Sequence, residues 1–195
     1  MSAAYSDELK RMVQQYIDGD SEVVETLKQI LKDTPAATRY SLIEEVRGIE
    51  YSWNVLHASA ISNDVEMMKC LLHEFSSDQK WQVLKIVTSI SRTPLHIAAY
   101  NGYTDAAKYL LESTPDQFRY EYLQMKDGWG YTALHWAATC NHLQIAQVLL
   151  SFLSPQQQIS LLKETNNKNK SVADILSTKY PQGKIIIYTY LYDIS

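Results

Sequence analysis

The chain has 195 residues, 46% hydrophobic and 21% charged, with a net charge of −4. This is a globular composition rather than a disordered one, and the acidic balance argues against a nucleic-acid binder, whose affinity needs clustered Lys and Arg. No apolar run approaches the roughly 18 residues of a membrane span, and only six Gly and five Pro leave few tight turns, which favours helix over a many-stranded sheet.

The N-terminal stretch "MSAAYSDELKRMVQQY" has no apolar signal core. Two Cys without such a signal fit a reducing compartment with both thiols free. The expected location is therefore the cytoplasm, or the nucleus. The first predicted unit has one apolar stripe, Leu9, Met12, Val13 and Tyr16, and a charged back. It reads as a capping unit, and "GDSEVVETLKQIL" from Gly19 resembles "NDVEMMKCLL" from Asn63.

Downstream the chain repeats itself. "NVLHASAISNDVEMMKCLL" begins at Asn54, "TPLHIAAYNGYTDAAKYLL" at Thr93 and "TALHWAATCNHLQIAQVLL" at Thr132, each 39 residues after the last and without a gap. A worn copy starts at Ser171. Within a copy, Thr93 is placed as an N-cap and Pro94 as the first helical residue, where its missing N–H costs nothing. Leu95, Ala98 and Ala99 then follow at helical spacing, and "YNG" ends the helix with Gly102 free to take a positive φ. A second helix is expected from Thr104 and Asp105, with Ala106, Ala107, Tyr109, Leu110 and Leu111 apolar. Neither helix can bury its apolar face alone, whereas a stack of such pairs can.

These phrases resemble the ankyrin repeat, whose signature is T-P-L-H-x-A-A, and "KDGWGYTALH" at 126–135 resembles the turn that leads into it. The copy at Asn54 departs from the signature with Asn for Thr and Val for Pro, and the copy at Ser171 has Asp174 in place of His. The resemblance implies an all-α, ankyrin-like helical repeat solenoid. The period also departs, being 39 rather than the family's usual ~33. The "GAD-x-N" that follows the family's second helix is missing. In its place are "TPAATRYSLIEEV" from 34, "SSDQKWQVLKIV" from 76, "TPDQFRYEYLQM" from 114 and "SPQQQISLLKE" from 154. Each opens on Ser or Thr, three of them followed by Pro, which predicts an additional short helix per repeat, near 35–46, 78–87, 116–124 and 156–163. A longer irregular loop is the alternative. The expected organisation is a single domain over 1–195. It divides into an N-terminal capping unit with its insert helix (1–52), repeats at 53–91, 92–130 and 131–169, and a C-terminal capping unit (170–195). The last stretch, "YPQGKIIIYTYLYDIS", is expected to hold a final helix despite its strong β preference.

Candidate chemistry is sparse. His57, His96 and His135 form a ladder at the repeat period. Equivalent positions on packed helices are about 8–10 Å apart, too far for shared zinc ligands at about 2.0–2.1 Å from the metal. The expectation is a structural ladder, each imidazole bonding to backbone of the neighbouring turn, and no metal. His73 and His142 are expected to be solvated. Cys70 falls on a core position and Cys140 at a turn, too far apart to pair. No nucleophile elbow, zinc helix, phosphate loop or dinucleotide fingerprint is present, so neither catalysis nor a cofactor is expected. "NKS" at 169–171 reads as a polar turn. "NNKNK" at 166–170 reads as a solvated hairpin tip, or as a contact for a phosphate or an acidic partner.

The resemblance implies that side chains not needed for stacking form a concave, protein-binding face. Just ahead of the T-P-L-H-like starts stand Tyr51, Trp53, Ile90, Arg92, Trp129, Tyr131, Lys168 and Lys170; just before the inter-helix turn stand Ile61, Ser62, Tyr100, Asn101, Thr139 and Cys140. From these, Tyr51, Trp53, Ile90, Arg92, Tyr100, Asn101, Trp129, Tyr131, Thr139, Lys168 and Lys170 are the expected partner-binding residues. Aromatics and Arg dominate interface energetics, although the extra helices could instead cover the aromatics. Trp81 and Trp136 are expected in the core. The expected function is a monomeric protein-binding module, with no nucleic acid and no membrane insertion. The alternative is a structural spacer or oligomerisation segment that pairs through "IIIYTYLYDIS".

Overall fold

The computed structural model describes residues 3–48 and 51–179; the final helix expected after Tyr180 lies outside them. The chain divides into two compact units, Met1–Pro94 and Leu95–Ser195. The first holds α1 (Ala3–Ile17), α2 (Val24–Asp33), α3 (Ala36–Glu45), α4 (Val55–Ser62), α5 (Val65–Leu72) and α6 (Ser77–Leu84). The second holds α7 (Pro94–Asn101), α8 (Thr104–Ser113), α9 (Asp116–Gln124), α10 (Ala133–Thr139), α11 (Leu143–Ser151), α12 (Pro155–Lys163) and α13 (Val172–Lys179). Among the described residues there is no strand, only an antiparallel bridge between Thr165 and Ser171. The all-α, ankyrin-like repeat fold with an additional short helix per repeat is what the sequence pattern implied.

The first helix of each repeat is short and buried nearly all round. In α4, Val55 to Ala60 are all buried, and in α10 Ala133, Leu134, His135, Ala137 and Ala138 are. The cap that starts these helices uses an unusual partner. Asn54 Oδ1 accepts from His57 N at 3.1 Å, and Asn54 N donates back to His57 Nδ1 at 3.3 Å. Thr132 and His135 make the same reciprocal pair at 3.3 and 3.2 Å. His thus stands where a capping box ordinarily has Glu or Gln. An Nδ1 that accepts leaves the proton of a neutral imidazole on Nε2. His57 Nε2 can then donate to Arg92 O at 3.0 Å in the first unit, and His96 Nε2 to Tyr131 O at 3.0 Å in the second. His135 holds the same register; its Nε2 is buried, and the backbone near it belongs to Lys170. In the worn copy, Asp174 takes over the capping role with Ser171.

The second helices are amphipathic. Met67, Met68, Cys70, Leu71 and Leu72 of α5, and Ile145, Ala146, Leu149 and Leu150 of α11, are buried. Each large apolar side chain removed from water contributes about 1.5–3 kcal/mol before conformational entropy is charged against it.

The extra helices have a second task besides burying Leu42, Ile43, Trp81, Leu84, Tyr122, Leu123, Leu161 and Leu162. One polar side chain from each of three reaches back to the C-terminal carbonyls of the helix before it. Arg39, fully buried, donates to Leu31 O at 3.2 Å and to Thr34 O, and across to His73 O. Its guanidinium also lies 5.8 Å from the Phe75 ring centre. Arg119 Nε donates to Leu111 O at 3.0 Å and its guanidinium lies over Phe152 at 5.2 Å. Gln158 Nε2 donates to Leu150 O and Leu153 O at 3.0 and 3.1 Å. These donors satisfy carbonyls that a helix end leaves open, and the two cations sit at the negative end of the dipole.

Candidate functional site

The turns that lead into the first helices are built alike. Thr88, Asp127 and Asn166 stand 39 residues apart. Each side-chain oxygen accepts the backbone N–H four residues on, Arg92 N at 3.1 Å, Tyr131 N at 3.0 Å and Lys170 N at 3.1 Å. Each backbone N–H donates back to the carbonyl of that same residue, at 2.9, 2.9 and 3.0 Å. The three turns are small loops held from inside by one polar side chain. The sequence reading missed Thr88, Asp127 and Asn166. Their 39-residue spacing was the signal available, hidden because the three residue types differ.

In the second unit this turn carries an aromatic cluster. Asp127 is buried, and its Oδ1 also accepts Trp129 N at 3.0 Å while Oδ2 accepts Trp136 Nε1 at 2.9 Å. Trp136 is thereby fixed as a platform. Tyr131 lies against it at 4.7 Å between ring centres, Tyr100 meets it edge-on at 5.1 Å, and Trp129 edge-on at 6.4 Å. Trp129 is 49% exposed and Tyr100 44%, and Tyr131 and Trp136 are half-buried. This corrects the expectation that Trp136 belongs to the core: its indole N–H is held by a turn carboxylate, so the ring lies among the surface aromatics. Trp81 is buried, as expected. His142 is also corrected, since its Nε2 lies 3.1 Å from Tyr100 O rather than in solvent alone.

The tip is rigid. Gly130 has φ +76°, and a Cβ there would come within 2.3 Å of Asn167 Oδ1 and 2.7 Å of Asn167 N. Asn167 N donates to Trp129 O at 3.1 Å, and Lys126 Nζ reaches Thr165 O at 3.0 Å and Glu164 at 2.8 Å. The Asp127 and Asn166 turns are therefore joined by backbone and side-chain bonds together.

The first unit has its own tip residues. Tyr51, 49% exposed, stacks on half-buried Trp53 at 5.8 Å and 23°. Tyr51 sits at φ +55°, and its carbonyl accepts Ser89 N at 2.9 Å. Ile90 and Arg92 are half-buried beside that turn. Of the other expected residues, Asn101 is exposed and donates to Ile97 O, Thr139 is half-buried, and Lys168 and Lys170 are exposed. Cys70 is buried, which raises its thiol pKa, and Cys140 is half-buried. Among the described residues no three His, Cys, Asp or Glu side chains converge as metal ligands, and no helix is long and apolar enough to cross a membrane.

The family model described as "Ankyrin repeats (3 copies)" matches residues 1–120 and 87–160. No curated protein matches the chain.

Proposed function

The chain belongs to the ankyrin repeat family, whose repeats are in general protein–protein interaction modules, and from that premise we propose that it binds a partner protein through its turn tips and the outer side of its first helices, the face that is concave in the family. The observation that carries this is the aromatic cluster of the second unit. Trp129 and Tyr100 are about half exposed around a platform that the turn itself holds in place. Folding gives no reason to leave a Trp in solvent on a hydrogen-bonded tip, whereas aromatics supply most interface energy where water is excluded. A preorganised tip also loses little conformational entropy on association. Tyr100, Asn101, Trp129, Tyr131, Thr139, Lys168 and Lys170 form the patch in the second unit, and Tyr51, Trp53, Ile90 and Arg92 that in the first. The proposal gives the chain no catalytic role.

Trp129→Ala and Tyr131→Ala test it once a partner has been captured. Each is expected to weaken binding by about thirtyfold, the ~2 kcal/mol of an interface hot spot, with the far-ultraviolet circular dichroism unchanged. Full affinity in both variants would place the binding surface elsewhere.

A further inference from the structure

The repeat period sets the turn at Asn166 beside the one at Asp127, and two differences there open a cleft. Asn166 Oδ1 accepts Lys168 N at 2.9 Å and Lys170 N at 3.1 Å. Those two donors fix which end of the amide is oxygen, so the other atom is Nδ2, which is buried and has no hydrogen-bond partner. At the equivalent position Asp127 has a carboxylate oxygen, filled by the indole N–H of Trp136. The residue 39 beyond Trp136 is Ile175, shorter and with no polar atom on its side chain. Where the preceding repeat is filled by an indole, this one is open. A cleft of about 300 Å³ remains, lined by Tyr131, Thr139, Asn166, Lys168, Lys170 and Ile175 among others.

Its charge is also reversed. The Asp127 turn encloses a carboxylate that three N–H groups of its own repeat hydrogen-bond; the Asn166 turn encloses a neutral amide and carries two exposed ammonium groups. Lys168 and Lys170 are exposed, and neither forms an ion pair within the described residues. The carboxylate that faces Lys170, Asp174, is occupied as a helix cap by Ser171 N at 2.9 Å.

Resting on the protein-binding reading above, we propose that this cleft takes an acidic segment of the partner. An Asp or Glu carboxylate lies between Lys168 and Lys170, and a neighbouring apolar or aromatic side chain lies against Tyr131 and Ile175. The partner's apolar side chain fills the volume that Trp136 fills one repeat earlier, and the cations supply the charge complementarity that gives an interface its selectivity.

A phage-displayed library of random dodecapeptides, panned on the full chain, provides the test. Peptides enriched on the wild type are expected to carry Asp or Glu next to Tyr, Phe, Trp or Leu. Synthetic copies of them should bind the Lys168→Glu/Lys170→Glu variant at least about tenfold more weakly. Asn166→Asp gives a milder probe, since the Asp127 turn shows that a carboxylate still accepts both backbone N–H groups; acidic peptides should bind it more weakly too. Enriched peptides without an acidic excess, an excess that persists in the double lysine variant, or no enrichment at all would each overturn the assignment. Trp129→Ala and Tyr100→Ala, exposed aromatics outside the cleft lining, separate it from the broader reading. If neither alters binding of the acidic peptides while the lysine variant does, the acidic cleft stands without the aromatic surface.

Discussion

The bond between Asp127 Oδ2 and Trp136 Nε1, at 2.9 Å, is where the site and its scaffold meet, and a double-mutant cycle measures it. Asp127→Asn leaves the turn intact. Its Oδ1 can still accept Trp129 N and Tyr131 N, as Asn166 Oδ1 accepts Lys168 N and Lys170 N at 2.9 and 3.1 Å. The change is confined to the second atom, where an NH₂ now faces the indole N–H. A hydrogen bond to a charged acceptor is worth about 1.5–3 kcal/mol, and two donors face each other in its place, so the variant should lose about 2 kcal/mol of stability. Trp136→Phe removes the same bond from the other side, and with it part of the platform under Tyr131, Tyr100 and Trp129, at about 1–2 kcal/mol. The two losses are largely one loss. The double variant should therefore fall about 2 kcal/mol below wild type, rather than the ~3–4 kcal/mol of the sum. Urea unfolding followed by circular dichroism reads all four proteins. If the two changes add within about 0.4 kcal/mol, Asp127 and Trp136 are not coupled and the platform is held by ring packing alone.

Three further outcomes follow from the scaffold. Burial lowers the His135 imidazole pKa from 6.5 to about 4, against the opposing pull of backbone at Lys170. The unfolded chain takes up that proton near pH 6.5 and the folded chain only near 4, so the contribution is whole above about 6.5. It falls by roughly 3 kcal/mol as pH drops through that window. His135→Gln should flatten the decline of the urea midpoint between pH 6.5 and 4, and an equal decline in both proteins would remove His135 as its source. Arg39→Met leaves the carbonyls of Leu31, Thr34 and His73 without their donor and should cost about 2–4 kcal/mol. Arg39→Lys should restore less than half, because one ammonium does not span three carbonyls as a guanidinium does; an unchanged midpoint for the Met variant would dispose of the capping role. Gly130→Ala should cost more than Gly19→Ala. Both sit at positive φ, but the added Cβ meets Asn167 within 2.3 Å at Gly130 and nothing within 4 Å at Gly19. Gly19→Ala then carries only the ~1–2 kcal/mol of a left-handed Cβ, and equal losses would show that the contact with Asn167 is soft.

Most of the helical architecture was legible because each helix is specified locally. The cap-and-Pro starts, the small-residue stripe of "LHIAA" and the double Leu of the second helix all act within a few residues of themselves. The inserts were legible for the same reason: Ser or Thr followed by Pro and an apolar pair announced α3, α9 and α12 within about one residue of their observed bounds. What Arg39, Arg119 and Gln158 do was not legible. Their acceptors are carbonyls five to eight residues back, and for Arg39 also His73 O, 34 residues ahead. An Arg on a short amphipathic helix reads as surface until the carbonyls it serves are placed in space. His142 escaped for a related reason, since its partner is a backbone oxygen 42 residues away, and no side-chain pattern marks an oxygen that every residue carries.

The aromatic tips show a different limit. Sequence placed Trp129 and Tyr131 on a turn but left open whether the extra helices cover them, because residue type does not distinguish a covered aromatic from a presented one. The deciding residue is Asp127. A carboxylate inside the turn needs donors for both oxygens; the backbone supplies those for Oδ1, and the donor for Oδ2 is the indole of Trp136. That requirement draws Trp136 out of the core and builds the platform that Tyr100 and Trp129 meet edge-on. At Asn166 the same turn needs no donor from outside for its second atom, Ile175 stands in place of Trp, and no platform forms. Four differences at the repeat period, Asp127 to Asn166, Trp136 to Ile175, Trp129 to Lys168 and Tyr131 to Lys170, thus separate a filled aromatic patch from an open basic cleft. Such local exchanges let a repeat chain change what it presents without changing how it stacks.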